Sequence, residues 1–216
     1  VNECLALNQP AARRTAEQQA NIDTITRVIR IPASAILSHI DWGTRHFQDI
    51  SSRRTGGASP FGNVGAVYAG TSDDAALNAG VLRYRADPAA YARFALDSDP
   101  TGHIPVPVLS TKWVADPTAF VELDARFLHT MQQGGSASRL VQTFTTQGAH
   151  SYITDATYTT LMHALLGWVE EGRKPTPASI AAACRADGSQ ADAGCVFDAG
   201  YTPAALNTRV PERDRP

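Results

Sequence analysis

The sequence lacks any block of like charge and any long apolar run. Its 19 basic and 21 acidic side chains give a net charge of −2. They are mixed along the chain, so no basic patch typical of nucleic-acid binding is indicated. The longest stretch without Asp, Glu, Lys or Arg, residues 55–72, contains five glycines and a proline and cannot form a membrane helix. With 43% apolar residues the sequence predicts a globular protein that binds no nucleic acid and has no membrane span.

Cysteine is scarce, with three residues in 216. Cys184 and Cys195 lie in a tail that contains Pro, Gly and Asp but few large apolar residues, where a disulfide would replace a missing core. We therefore predict a Cys184–Cys195 disulfide and a periplasmic or secreted protein. The alternative is two reduced thiols in a cytosolic protein, because spacing does not fix connectivity. This pairing leaves Cys4 without a predicted disulfide partner in the chain, which is typical of a free thiol or of a cysteine that bonds to another molecule.

Helical patterns dominate residues 1–100. Apolar residues recur at helical spacing between residues 10 and 30. Acidic caps predict two further helices, over residues 74–85 and 87–96. Residues 31–40 are apolar but of ambiguous type. This part of the chain is therefore predicted to be mostly helical.

Four potential metal ligands lie close together in this helical part, namely His39, Asp41, His46 and Asp49. Their spacing matches no standard metal site, and they are better explained as polar residues on the protein surface. The sequence therefore predicts neither a metal ion nor a cofactor.

The pattern changes to strand, helix, strand, helix in the second half of the chain. Residues 104–109 form a short apolar run typical of a buried strand, although its two prolines favour a sheet edge or a strand start. A second strand is predicted over residues 139–145. Helices are predicted to begin at Asp116-Pro117 and at about Asp155. Because a strand–helix–strand unit implies a parallel pair, this half is predicted to be α/β.

Two titratable residues follow the two predicted strands. Asp116 comes after the first strand and His150 after the second. Parallel strands end at the same edge of a sheet, so both side chains should lie there, within reach of each other. An acid that orients an imidazole, which then activates a nucleophile, is the arrangement of a catalytic triad. Taken singly, Asp116 could serve only as a helix cap and His150 could be an ordinary loop histidine.

Four segments carry a resemblance to a known family: VPVLSTKWVADP at residues 106–117, RLVQTF at 139–144, GAHSY at 148–152 and WVEEGRKP at 168–175. They resemble the C-terminal portion of the α/β-hydrolase fold superfamily, in particular exported bacterial esterase-like serine hydrolases. The resemblance covers about residues 104–174, a third of the chain. It implies the last two parallel strands of the hydrolase sheet with flanking helices. It also implies that Asp116 is the acid and His150 the general base of a Ser-Asp-His triad.

The nucleophile elbow of that superfamily, G-x-S-x-G, does not occur in the sequence. The segment that would form an oxyanion hole is also missing, and too few strands precede residue 104 to build a central sheet. We therefore interpret the chain as one fragment of a larger hydrolase. Its N-terminal half, carrying the nucleophilic serine, is expected to be a second polypeptide produced by cleavage.

The implied organisation is a helical lid at residues 1–100, the C-terminal strands and helices of the hydrolase core at 101–174 and a surface tail at 175–216. The implied activity is hydrolysis of a small-molecule carboxylic ester by a heterodimer. Two alternatives stay open. One is an acyltransferase on the same scaffold, and the other is an inactive hydrolase-like binding subunit, for which the missing serine argues directly.

Overall fold

The computed structural model describes residues 1–186 and 195–212. The chain forms two compact units, Val1–Asp99 and Pro100–Val210. The first unit is helical in its regular elements, and the second combines helices with a parallel strand pair. The protein is therefore mixed α/β.

The first unit contains four α-helices with defined starts. Their bounds are Ala16–Ile29 for α1, Ala33–Gln48 for α2, Asp74–Gly80 for α3 and Pro88–Ser98 for α4. Thr15 and Gln18 form a capping box at α1, which is why the helix begins there and not at residue 10. Asp73 caps α3 and Asp87 caps α4, because each carboxylate accepts a backbone N–H of the first turn.

The ambiguous residues 31–40 belong to α2, which a π-helical turn continues over Asp49–Arg54. The predicted helix over residues 74–85 is shorter than expected. It ends at Gly80, and Arg83 beyond it donates hydrogen bonds to the carbonyl oxygens of Asn63, Ala66 and Asn78. These long-range bonds hold the segment in an irregular path.

The second unit is built on two parallel strands, β1 at Val108–Trp113 and β2 at Leu140–Thr145. Their register runs from Val108 opposite Leu140 to Trp113 opposite Thr145. Its helices are α5 at Glu122–Gln133, α6 at Asp155–Glu171 and α7 at Pro177–Ala186. Helices α5 and α7 contact β2, and α6 contacts β1 and α7.

The first strand begins later than the apolar run at residues 104–109 predicted. Pro105 and Pro107 carry no N–H group for a ladder. The backbone of Ile104 instead bonds to side chains near β2, with its N–H donating to Ser136 Oγ at 3.0 Å and its carbonyl accepting from Arg139 at 3.1 Å. The run is thus an anchored lead-in to β1.

A close backbone approach also fixes this lead-in. Gly102, at φ +75°, lies against Thr130 and Gly134 at the end of α5, and a Cβ on Gly102 or Gly134 would overlap backbone atoms of the other segment. Only glycine fits at this crossing.

The core of the second unit surrounds β2, five of whose six residues are buried. Met131 of α5 and Ile180 of α7 are buried at 0% and 1% exposure. At the edge of β2 that does not face β1, residues 196–198 pair with the end of the strand. The N–H of Thr146 donates to the carbonyl of Val196, and the N–H of Asp198 donates to the carbonyl of Phe144. The residues of β1 are only half-buried. Within the described residues β1 is therefore the edge strand.

The tail contains the predicted disulfide. Cys184 on α7 is joined to Cys195, with the two Cα atoms 5.8 Å apart, which confirms that prediction. Cys4 is exposed and carries a free thiol.

None of the helices in the described part of the chain is long and apolar enough to cross a membrane.

Candidate active site

Asp116 lies in the turn that follows β1. Its N–H donates to the carbonyl of Trp113 at 3.2 Å, which closes the turn. Its Oδ1 accepts the backbone N–H groups of Thr118 and Ala119 at 2.8 and 2.9 Å. The residue is 6% exposed, so these bonds satisfy a carboxylate that has little access to water.

Asp116 does not cap α5, contrary to the sequence prediction. The helix begins at Glu122, and its N-cap residue Val121 makes no side-chain cap bond. The predicted hydrogen-bond pattern of an acidic cap is present, but it closes an isolated turn, because an Asx turn and an N-cap use the same side-chain-to-backbone bonds.

His150 lies in the loop after β2. Its Nδ1 is 3.2 Å from Oδ1 and 3.1 Å from Oδ2 of Asp116. The loop is pinned by reciprocal backbone bonds between Ala149 and Tyr152. Gly148 suits this turn, since a Cβ there would lie only 3.1 Å from the carbonyl oxygen of Tyr152 within the same loop. The parallel strands thus bring together two residues 34 positions apart.

The hydrogen-bond partner fixes how the imidazole is used. An ionised carboxylate can only accept hydrogen bonds, so Nδ1 carries a hydrogen and donates a hydrogen bond to Asp116. In a neutral ring this leaves Nε2 with a lone pair that can take a proton from a nucleophile. The His150 side chain is 49% exposed while that of Asp116 is 3% exposed. The pair is therefore a buried carboxylate beside an accessible imidazole, an arrangement that is chemically able to act as an orienting acid and a base.

Several groups keep the Asp116 carboxylate charged. Burial by itself would raise its pKa. The bonds from Thr118 and Ala119, the bond from His150 and the positive charge of Lys112 outweigh that effect, and the pKa of Asp116 is lowered from its ordinary value of 3.8. The acid is therefore ionised at neutral pH, as an orienting carboxylate must be.

Lys112 was not singled out by the sequence analysis. Its Nζ lies 3.3 Å from Asp116 Oδ2, and its side chain is 17% exposed. The available signal was that Lys112 is one of only two lysines and lies four residues before the candidate acid. Strand geometry alone does not predict such a pair, because it needs the chain to turn back after Trp113.

The other titratable residues weighed in the sequence have different partners. Asp41 pairs with Arg45, Asp49 with Arg53 and Arg54, and His39 Nδ1 lies 2.7 Å from the carbonyl of Ala35. In residues 1–186 and 195–212, no group of three or more His, Cys, Asp and Glu side chains could hold a metal ion.

No serine hydroxyl of the described residues hydrogen-bonds to His150. The ring's hydrogen bonds in this part of the chain go to Asp116. The described residues of the site therefore form a carboxylate–imidazole pair to which no serine hydroxyl is bonded.

Comparisons with protein-family models, with curated proteins and with solved structures find no match to this chain.

Proposed function

We propose that this chain is the acid- and base-bearing part of a serine hydrolase of carboxylic esters. The observation that carries the proposal is the hydrogen bond from His150 Nδ1 to the buried Asp116 carboxylate, beyond the ends of two adjacent parallel strands. This is the orienting half of a nucleophile–base–acid arrangement. The resemblance to the C-terminal portion of α/β-hydrolases gives the same roles to the same residues.

In this mechanism His150 Nε2 takes the proton of a serine hydroxyl as the oxygen attacks the ester carbonyl. It then returns the proton to the leaving alcohol. Asp116 holds the ring with Nε2 toward the nucleophile and stabilises the imidazolium that forms. The acyl group is then bonded to the serine oxygen. A water molecule activated by the same nitrogen hydrolyses this bond, which releases the carboxylic acid and restores the serine. These steps need no metal ion or cofactor.

We further propose that the nucleophile comes from a second polypeptide, the N-terminal half of the same hydrolase. The absence of G-x-S-x-G from the sequence supports this. So does the half-buried strand β1, because parallel strands are normally covered on both faces and paired on both edges. The Cys184–Cys195 disulfide favours a periplasmic or secreted location for the assembly.

The missing serine equally favours one competing function, an inactive hydrolase-like binding subunit. Denaturing mass spectrometry of the purified protein separates the two. A second chain containing G-x-S-x-G supports the hydrolase, whereas a lone species of 23.1 kDa supports the binding subunit. Analysis of products in the presence of an acceptor alcohol separates hydrolysis from acyl transfer on the same scaffold.

The direct test is substitution of the base. In the assembled protein, His150→Ala should lower ester hydrolysis by about three to four orders of magnitude. The fold should remain intact, because a half-exposed loop side chain contributes little to stability. Asp116→Asn should have a similarly severe effect, since an amide permits the wrong imidazole tautomer.

The controls are His129→Ala on α5 and His163→Ala on α6, which are both exposed and distant in sequence from the loops of the site. Each should retain activity within about threefold, as surface substitutions normally do. If the His150 variant retains as much activity as these controls, the proposed role of the pair is wrong.

A further inference from the structure

We propose that Lys112 is a positioning residue of this site. Its ammonium group helps to fix the Asp116 carboxylate against His150 and offsets part of the negative charge that the imidazole faces. The inference rests on the function proposed above. It adds Lys112, a residue that does not belong to a Ser-Asp-His triad.

The two oxygens of Asp116 are held differently. Oδ1 is anchored by the backbone N–H groups of Thr118 and Ala119. Oδ2 lies 3.1 Å from His150 Nδ1 and 3.3 Å from Lys112 Nζ. Without Lys112, only the imidazole itself would hold Oδ2 in this set of contacts. Lys112 therefore adds an anchor on Oδ2 to the anchor that the turn provides on Oδ1, and the two together fix the rotation of the carboxylate and the plane in which the imidazole is held.

Burial strengthens the electrostatic interaction between Lys112 and Asp116. The Lys112 side chain is 17% exposed and the Asp116 side chain 3% exposed, so water screens the pair less than it screens surface pairs. An ammonium bound to the same carboxylate oxygen disfavours a second positive charge on the neighbouring imidazole.

A second carboxylate faces Lys112 from α5. Asp124 accepts hydrogen bonds from Gln142 Nε2 on β2, at 2.9 Å to its carbonyl and 3.3 Å to Oδ1. Burial raises the pKa of Asp124, and the charge of Lys112 only partly opposes this. Asp124 is therefore the poorer counter-ion, and Asp116 is the carboxylate that Lys112 binds directly.

The remaining titratable groups nearby lie beyond His150 in its own loop and at the start of α6. The hydroxyl of Tyr152 donates to Asp155 Oδ1 at 3.3 Å, and Asp155 raises the pKa of Tyr152. Neither group bonds to Asp116 in the described structure. Among these groups, Lys112 is the cation that contacts the carboxylate.

The test is the pH–rate profile of ester hydrolysis by the assembled protein carrying Lys112→Met. This change removes the charge and keeps the apolar stem. The acid limb of kcat/KM should move to higher pH by about 0.5 to 1. Lys112→Gln should act in the same direction, and it covers the possibility that the Met variant does not fold. Lys112→Arg, which retains the charge, should restore most of the original profile.

The chain offers a matched control. Lys174 is the only other lysine of the sequence; its Nζ donates to the carbonyl of Ser138 and lies over the Trp168 ring. Lys174→Met removes the same charge from the same unit without touching Asp116, and it should leave the acid limb where it is. A purely structural role for Lys112 would lower activity at all pH values without moving the limb.

A second readout does not depend on activity. The carboxyl-carbon NMR resonance of Asp116 should titrate at higher pH in Lys112→Met and Lys112→Gln, because the pKa of Asp116 rises when the cation is removed. If both variants give the profile and the Asp116 titration of Lys174→Met, the inference is overturned. Should ester hydrolysis itself be absent, the Asp116 titration still decides the role of Lys112, so the two proposals fail separately.

Discussion

The Asp116 carboxylate combines a local structural role with an electrostatic one. Its Oδ1 closes the turn after β1 through Thr118 and Ala119, and both of its oxygens face His150 Nδ1. The turn holds the side chain in place before any imidazole contacts it. An orienting acid has to be fixed in this way, because a freely rotating carboxylate would not select one ring orientation.

The lowered pKa of Asp116 predicts how its contribution to stability depends on pH. A carboxylate whose folded-state pKa is depressed stabilises the native state above its unfolded value, and that stabilisation is lost as pH falls through the folded value. Asp116→Asn should therefore lower the melting temperature at neutral pH. The difference from the unchanged protein should shrink as the pH falls below 3.8, the ordinary value for this group.

Scanning calorimetry from about pH 2 to about pH 7, a range that begins about two units below the ordinary pKa of an aspartate and ends about three units above it, measures this difference. The control is Asp41→Asn, which removes an exposed i,i+4 pair with Arg45 and should cost less than about 0.5 kcal/mol at any pH. A difference for Asp116→Asn that is constant with pH would show that the carboxylate's charge does not contribute.

At the residue scale, the sequence predicted that Asp116 and His150 lie together, but it gave no prediction for Lys112. Asp116 and His150 could be brought together on paper because a parallel pair places the ends of both strands at one edge. Lys112 could not, because the direction of a strand side chain relative to a following turn depends on register and on where the next helix begins. In this region the strand and the following helix both begin later than the sequence predicted.

At the element scale, sequence patterns that fit only one kind of structure were predicted well. Patterns that fit two kinds of structure were not. The second strand and α6 begin within one residue of the predicted positions, because each has an apolar pattern bounded by a clear stop or cap. The Asp116-Pro117 pair suits an N-cap and an Asx turn equally, so α5 was placed six residues too early. The prolines in residues 104–109 likewise suited either a strand start or a lead-in.

The disulfide links α7 to the segment that borders β2, and its removal should weaken that side of the sheet. Cys184 and Cys195 are separated by 11 positions, a span for which chain entropy gives somewhat under about 3 kcal/mol. The double variant Cys184→Ala/Cys195→Ala should lower the free energy of unfolding by about that amount in denaturant titrations. Cys4→Ala removes an exposed free thiol and should change it by less than about 0.5 kcal/mol.

Thiol counting gives an independent answer on the same bridge. The unfolded, unreduced protein should react at the single free cysteine, Cys4, and the reduced protein at all three. Three reactive thiols before reduction would contradict the bridge and remove the support for an oxidising compartment.

At the scale of the whole molecule, the described surface carries a group of exposed apolar side chains. Four residues on one face of α6, Tyr158, Met162, Leu166 and Val169, are 44 to 59% exposed. They recur at helical spacing and so form one stripe. Exposed patches of this kind mark interaction sites or promote aggregation, and under the two-chain proposal the second polypeptide would cover both this stripe and the edge strand β1.

The chain produced without a partner should therefore self-associate and melt without a sharp transition. We expect strong binding of a hydrophobic dye, elution from a sizing column as species larger than 23.1 kDa and a broad calorimetric trace. Met162→Glu/Val169→Glu should reduce dye binding and self-association, because both changes place charge on the α6 stripe. Leu96→Glu, at a residue 87% exposed on α4 in the other unit, should leave both unchanged. A monomer that melts cooperatively and binds no dye would show that these residues fold independently, and the two-chain proposal would then lose its structural support.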